Sequence, residues 1–425
     1  MATVDAPRIK VAIIGSGPAG LSAAIELSKL PFIDWRLYEQ KPTISELGTG
    51  ITLQRNTWRL LERLGAAKHL RASDFFRPAD GHDVQYRNGR SGVVVKQTYP
   101  PSSVAPHHAP CRVHRAKLQK ALLKEVDQSR IRLKRKLVDV ERMESAQLRV
   151  VFEDGSSDHV DLVIGADGIR SKVRSVIFPN QEAKYSGVTA YRTVVRLADA
   201  EQINGLPKAM TFWHGTEGKW VYTCPLGAND WEITCRIGES DDGDRSTWGR
   251  EASVPGWISA HHEYCEPVQS LLSLATRVKR YDYFGGSRLQ RAVDGSSVAL
   301  IGDASHPLSG AFGAGAAFAI EDAWVLAGAI DWAYKTSRTL EHALALFDQV
   351  RSPHYRALYQ TLDDIAAANR QSASQAASAE EDILTRVENV SQPKNNWMYY
   401  HEVDKVLADA IAGWGDASLN IRPSL

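Results

Sequence analysis

The chain has 425 residues, with 51 Lys+Arg against 50 Asp+Glu and a formal net charge of +1. That balance gives no basic surplus for nucleic acid or an anionic membrane, and the length allows two or three domains with real cores. The four cysteines, Cys111, Cys224, Cys235 and Cys265, lack C-x-x-C spacing and read as reduced core thiols, so no metal site is expected.

The opening MATVDAPRIK has no apolar h-region. The most apolar long stretch, 310–330, is interrupted by Glu321 and Asp322, so no membrane span is expected. The last three residues, Pro-Ser-Leu, are not the S-K-L peroxisomal address, and the expected location is cytoplasmic.

Residues 9–14, IKVAII, form an apolar, β-branched run suited to a strand buried on both faces. Gly15, Gly17 and Gly20 follow with G-x-G-x-x-G spacing. LSAAIELSKL then carries Leu21, Ala24, Ile25 and Leu27 at helical spacing, and WRLY at 35–38 reads as a second strand ending at Glu39. The glycines therefore lie on the strand-to-helix turn of a βαβ unit, with an acid 19 positions beyond Gly20. In that context Gly15 makes the tight turn, Gly17 admits a pyrophosphate and Gly20 lets the helix approach the strand. The helix N-terminus offers free N–H groups to phosphate, and Glu39 would accept from ribose hydroxyls. The unit indicates a dinucleotide without choosing FAD or NAD.

Residues 48–65 hold a glycine pair, Asn56 and an amphipathic helix stopped by Gly65. Residues 75–110 look irregular or β-like, and RVHRAKLQKALLK at 112–124 reads as a helix. Two strand-like runs flank Asp154-Gly155, and DLVIGADG follows. Asp167 closes that buried strand and points to the ligand crevice, or else caps a turn with Ser171. Residues 185–238 alternate in the β manner, with Trp213 and Trp220 expected as wall or core. VALIGDA at 298–304 is another buried strand, entering a loop with Gly310, Gly313 and Gly315 and then a long helix. His306 in that loop reads as a positioning residue rather than a base, since no partner acid stands at suitable spacing. Residues 372–381 are a linker or polar helix, and the aromatic C-terminal segment either closes the substrate domain or meets a second copy. The βα signals flank a central β-rich block, as for a nucleotide domain carrying an inserted sheet.

With GSGPAG, Glu39, Asp167-Gly168 and Gly302-Asp303 in this order, residues 8–365 resemble the single-component FAD-dependent aromatic hydroxylases. Within that family the salicylate-hydroxylase-like, fungal-type branch is the nearest likeness. The resemblance implies an α/β fold: a Rossmann-like FAD-binding domain of the 4-hydroxybenzoate hydroxylase kind, an inserted β-sheet substrate domain and a C-terminal helical segment. The expected boundaries are 1–75, 105–182 and 286–370 for the FAD domain, 76–104 and 183–285 for the sheet, and 371–425 for the last segment.

It also implies that Gly15, Gly17 and Gly20 lie at the FAD pyrophosphate and Glu39 at the adenosine ribose. Arg115 would reach the phosphates, with Gln119 one turn on. Asp167 and Gly168 would serve both FAD and NAD(P)H, and Asp303 would hold the ribityl chain. Pro307, Gly313, Ala314, Gly315 and Ala316 would lie by the flavin ring, and Gly50, in the run 48–51, along its edge. Many members carry Pro at the position of Gly310 and bacterial ones often Gln at that of Ala314.

The family chemistry implied is reduction of FAD by NADH or NADPH, addition of O2 to give a C4a-hydroperoxide, and oxygen transfer to a phenolic ring, with or without decarboxylation. No second G-x-G-x-x-G is present, which fits transient reductant binding. Arg192, Tyr222 and His214, in the inserted sheet, are the candidate substrate residues: an anion partner, a phenol partner and a base. The expected partners are a small phenol and O2, in a monomer or homodimer. A flavin-dependent oxidase, an NAD-linked dehydrogenase, a hydroxylase of larger phenols and a flavin-free binding protein like the Rab GDP-dissociation inhibitors stand as alternatives.

Overall fold

The structure, a computed structural model, describes residues 8–45, 49–181, 183–240, 249–286, 288–295, 297–308 and 310–416. Gly48, expected with Gly50 along the flavin edge, lies outside them.

The expected βαβ unit is present as Ile9–Ile14, Pro18–Ser28 and Ile33–Glu39. Ile9–Ile14 lies parallel between Ile33–Glu39 and Leu162–Gly165, in a six-stranded sheet. Both faces of these strands are covered, which explains their unbroken apolar runs. Val11, Ile13, Leu162 and Ile164 pack against the helices Pro18–Ser28 and Gly315–Lys335. Ala12, Ile14, Val163 and Leu300 face a three-stranded antiparallel sheet through Val140, Val150 and Phe152.

The second large sheet has eight strands and joins two separate stretches of chain. Its order is Arg250–Ala252, Val278–Gly286, Ala183–Arg196, Asp230–Gly238, Trp220–Leu226, Thr211–His214, Gln85–Asn88 and Val94–Gln97. One face is sealed by Trp213, Val221, Trp231, Ile233 and Cys235 under the helices Val254–Ser259 and Glu266–Ser273. The alternate residues of the same strands therefore point the other way.

The sequence is corrected in two places. The helix expected over 112–124 begins only at Arg115; Cys111–His114 is a strand paired with Gly50–Leu53, its Cys111 and Val113 buried in the strand alternation. The stretch 372–381 is neither linker nor one helix: Leu340–Gln375 ends there and Ala379–Val390 starts under a Ser378 cap. Among the described residues no helix is long and apolar enough to cross a membrane.

Glu321 and Asp322, which interrupt the apolar run, form the deepest polar network. Both are fully buried, as is Arg351 from the helix Leu340–Gln375. Arg351 Nε donates to Asp322 Oδ1 at 2.7 Å and Nη1 lies 2.9 Å from Glu321 Oε2. Asp322 Oδ2 accepts from Tyr355 Oη at 2.6 Å and from the Gly302 amide at 2.8 Å. Asn56 Nδ2 donates to Glu321 Oε1 at 2.9 Å. Arg351→Met strands two buried carboxylates, so it should destabilise the chain by about 3–5 kcal/mol, read as a lowered urea midpoint.

Candidate functional site

The glycine turn is shaped by close contact. Gly15 has φ +106°, and a Cβ there would stand 2.4 Å from the Ala166 carbonyl oxygen; one on Gly20 would meet the Gly15 oxygen at 1.9 Å. Around a Cβ on Gly17 no atom lies within 4 Å, so this residue borders open space at the N-terminus of Pro18–Ser28. This is where a pyrophosphate fits. The neighbouring groups converge on Ser16. Its amide and hydroxyl donate to Glu39 Oε2 at 3.1 and 2.5 Å, and Gln119 Nε2 donates to its carbonyl at 3.1 Å. Arg115 opens the helix Arg115–Leu123, its own amide donating to Thr49 O at 3.1 Å. Glu39 and Gln119 thus meet at the turn, and Arg115 lies one helical turn before Gln119.

Asp167 does not stand free in the crevice. Oδ1 accepts from the Ser171 hydroxyl at 2.5 Å, and Oδ2 accepts from the amides of Lys172 and Val173 at 2.7 and 3.1 Å. Ser171 in turn accepts from the Arg174 amide at 2.9 Å, so the capped-turn reading holds. Arg174, which sequence reasoning left without a role, is buried and bridges two motifs, donating to Ile169 O at 3.0 Å and Ala304 O at 3.3 Å. Asp303 follows on this loop and is exposed, and Pro307 is half-buried. Gly313 has φ +65°, and Ala314, Gly315 and Ala316 lead into the helix Gly315–Lys335, whose first amides have no helical partner. His306 is buried, stacked on Tyr355 at 3.5 Å between ring centroids, with Nδ1 on Ser305 Oγ at 2.8 Å. Burial, with Arg351 and Arg174 nearby, pushes its imidazole well below the usual range.

The inserted sheet brings its three candidates to one face. Arg192, Thr234, Tyr222, Phe212 and Tyr86 lie directly across from one another on five successive strands. Two residues along, Ala190, Arg236, Trp220, His214 and Asn88 form the next such row. Directly opposed residues share a face, and so do residues two apart. This face is opposite the sealed one, and it reaches the glycine loop: a Cβ on Gly310 would meet Tyr283 Oη at 3.4 Å and Arg192 Nη2 at 4.0 Å.

Each candidate has a distinct state. Burial lowers the His214 imidazole to about 4, helped by Arg386 and Arg236, so the ring is neutral at pH 7. Its Nε2 is buried and has no hydrogen-bond partner. Arg192 likewise leaves Nε buried and unpartnered, with its guanidinium 5.4 Å from the Tyr281 ring. Tyr222 is not a base: burial drives its hydroxyl well above the ordinary range, and its ring lies under Arg112 at 5.0 Å and beside Phe212 at 4.8 Å. It is a wall residue whose hydroxyl stays protonated, able to donate or accept a hydrogen bond but not to act as a base.

Arg236 is the site residue that sequence reading missed. It shares the His214 row and forms no hydrogen bond or ion pair among the described residues. Burial lowers its pKa despite Tyr283 nearby. The signal was present: in WEITCR, Trp231, Ile233 and Cys235 alternate with Glu232, Thr234 and Arg236. Glu232 is different, being fully buried and matched by Arg112 Nε and Nη2, each at 2.8 Å. Burial raises the Glu232 carboxyl, and Arg112 more than reverses this, to about 2. Gly50 crosses over this pair; a Cβ there would fall 2.4 Å from Glu232 Oε2. The pair thus fixes the sheet to the strand Cys111–His114, which pairs with Gly50–Leu53.

Two outcomes test this geometry. Gly17→Ala should change the urea midpoint of the flavin-free protein by less than about 1 kcal/mol equivalent, while weakening FAD binding by about tenfold or more through lost phosphate approach. His214 titrates below its unfolded value, so the unfolded chain binds the extra proton first. Stability should therefore fall as pH drops from about 6.5 toward 4, by up to about 1.4 kcal/mol per pH unit from this group. His214→Gln should remove that part of the slope in urea titrations.

A family profile described as "FAD binding domain" matches residues 8–361. The chain is 27% identical to a salicylate hydroxylase of Pseudomonas putida, over 95% of this chain and 94% of that protein. It is 30% identical to the 6-methylsalicylate 1-monooxygenase of Aspergillus terreus, over 81% of this chain and 79% of the other. Among solved structures, a salicylate hydroxylase substrate complex shares the fold with TM-score 0.78 at 21% identity, covering 98% of this chain and 99% of that one. Klebsiella pneumoniae HpxO complexed with FAD and uric acid does so with TM-score 0.69 at 22% identity, covering 97% and 98%. The open space at Gly17, the Ser16–Glu39 contact and the 8–361 match agree, and the chain belongs to the FAD binding domain family.

Proposed function

We propose that this FAD-dependent aromatic hydroxylase acts on a phenol bearing a carboxylate, of the salicylate or hydroxybenzoate kind. The observation that carries the reading is the sheet face turned to the glycine loop. It presents Arg236, which has no ion-pair partner among the described residues, Arg192, whose Nε is unpartnered although Glu232 lies near, and one neutral imidazole without a partner. Cations left unpaired in a low-dielectric wall favour an anionic ligand, and a neutral imidazole favours a donor hydroxyl. The salicylate hydroxylase and methylsalicylate monooxygenase relatives support the same substrate class.

In this reading Arg236 and Arg192 hold the carboxylate and orient the ring. His214 Nε2 accepts the phenol proton as the ring becomes electron-rich. Tyr222, Phe212 and Tyr86 form an aromatic wall that excludes water. FAD, which the Ser16, Glu39, Gln119 and Gly17 neighbourhood would hold, supplies activated oxygen once reduced by NADH or NADPH. We take Arg115, Gly15, Gly20, Asp303, Pro307 and the 313–316 loop as further cofactor residues, and Asp167 and Gly168 as the turn that shapes the groove. The proposed domain division is that of the two large sheets, with a cytoplasmic monomer or homodimer.

The test follows NADH and NADPH oxidation with hydroxybenzoates and with larger phenols, and weighs the products. A carboxylated phenol should stimulate oxidation and gain one oxygen, or exchange CO2 for hydroxyl. Oxidation without an oxygenated product favours an oxidase, and response only to larger phenols moves the substrate class. Arg236→Met should raise KM for the carboxylated substrate by roughly 30-fold, with little change for the phenol lacking a carboxylate.

A further inference from the structure

The C-terminal segment touches the glycine loop at one strained point. Phe312 has φ +51° and ψ +11°, a left-handed conformation that a bulky residue rarely adopts. It lies between Gly310 (φ +77°) and Gly313 (φ +65°), so three of these four residues have positive φ. Such a loop keeps its shape only if its surroundings hold it. Tyr399, in the 3-10 segment Pro393–Tyr400, donates its hydroxyl to the Phe312 carbonyl at 2.7 Å. The Phe312 ring packs into a cluster with Tyr355, Met398, Trp397 and Tyr399. Trp397 Nε1 donates to Thr361 Oγ1 at 3.3 Å, and Asn56 Nδ2 donates to the Met398 carbonyl at 3.1 Å, so the segment is itself anchored.

We propose that Tyr399 is a positioning residue for the flavin: its hydroxyl fixes the left-handed Phe312 and so sets the direction of the loop amides entering the helix Gly315–Lys335. The proposal rests on the reading of this loop as the flavin's seat. It assigns the aromatic C-terminal segment to the cofactor loop of its own chain. The peptide plane between Phe312 and Gly313 is held at both ends: the Gly313 amide donates to Gly310 O at 3.2 Å, and the Phe312 carbonyl accepts from Tyr399, the bond that ties the plane to the C-terminal segment. Free to turn, that plane would relax toward the right-handed region and carry the following amides with it.

Tyr399→Phe keeps the ring in its cluster and removes only the hydroxyl. In the flavin-free full chain, hydrogen exchange of residues 310–316 should quicken about fivefold, and the FAD dissociation constant from flavin fluorescence should rise about fivefold. In a Phe312→Gly background, where positive φ is free of strain, the same substitution should change both by less than about twofold. Phe312→Asn replaces the glycine variant if that variant fails to fold, since Asn also tolerates this conformation. Equal losses in both backgrounds, or no change in either readout, overturn the proposal. A wild-type chain that takes up no FAD overturns the site reading and this proposal with it, and that outcome is distinct from unchanged exchange in Tyr399→Phe.

Discussion

Arg351 is the constraint on which the rest of the structure hangs. A guanidinium with no exposed surface holds two fully buried carboxylates on the helix Gly315–Lys335. One of them, Asp322, accepts the amide of Gly302, the residue before Asp303. The other, Glu321, accepts from Asn56, which also donates to Met398 in the C-terminal segment. One cation thus fixes the start of the cofactor loop, the helix that follows it and the segment that closes over it. Burying such a triad gains little net stability over an apolar replacement, because desolvation offsets most of the attraction. What it does supply is a unique geometry at the end of the strand Val298–Leu300.

The same logic separates the charged groups of the sheet face into two kinds. Glu232 and Arg112 neutralise each other inside the protein, and their pairing ties the sheet to the strand beside Gly50. Arg236 has no ion-pair partner among the described residues, and Arg192, though near Glu232, leaves its Nε unpartnered. Arg112 faces a neighbouring strand, whereas Arg192 lies against Gly310 and Arg236 beside Tyr283 and Arg386. Desolvation without compensation destabilises the free protein and is recovered when an anion enters.

The βαβ unit was legible in the sequence because its signals are local. An apolar strand, glycines at fixed spacing and an acid at the next strand's end are all read within about 30 residues, the span of such a unit. The strand Cys111–His114 was misread as helix because its partner, Gly50–Leu53, lies 60 residues away and RAKLQKALL beside it is truly helical. Asp167 was left undecided between crevice and cap, and the structure gives its oxygens to the cap. Arg192, Tyr222 and His214 were picked from chemistry alone, and register put them on one face; Arg236 needed the pairing of four strands to come into view. The Arg351 network was invisible for a similar reason. Glu321 and Asp322 looked like interruptions in an apolar helix until the helix Leu340–Gln375 supplied the cation.

A hydroxylase that must keep a reactive oxygen species from water needs walls more than it needs acids and bases. The geometry reflects this. The titratable groups facing the loop are held in states that do not change near pH 7: His214 and His306 neutral, Tyr222 protonated. Burial, not a neighbouring charge, is the main cause in all three. A dry pocket therefore sets its own protonation pattern, and the substrate brings the charge that changes it. In the proposed function, a carboxylate entering beside Arg236 would cancel part of the field that depresses His214 and so raise the imidazole's proton affinity when a phenol proton is there to accept. The base is then weakest in the empty enzyme and strongest with substrate bound, which couples proton removal to the presence of the correct ring.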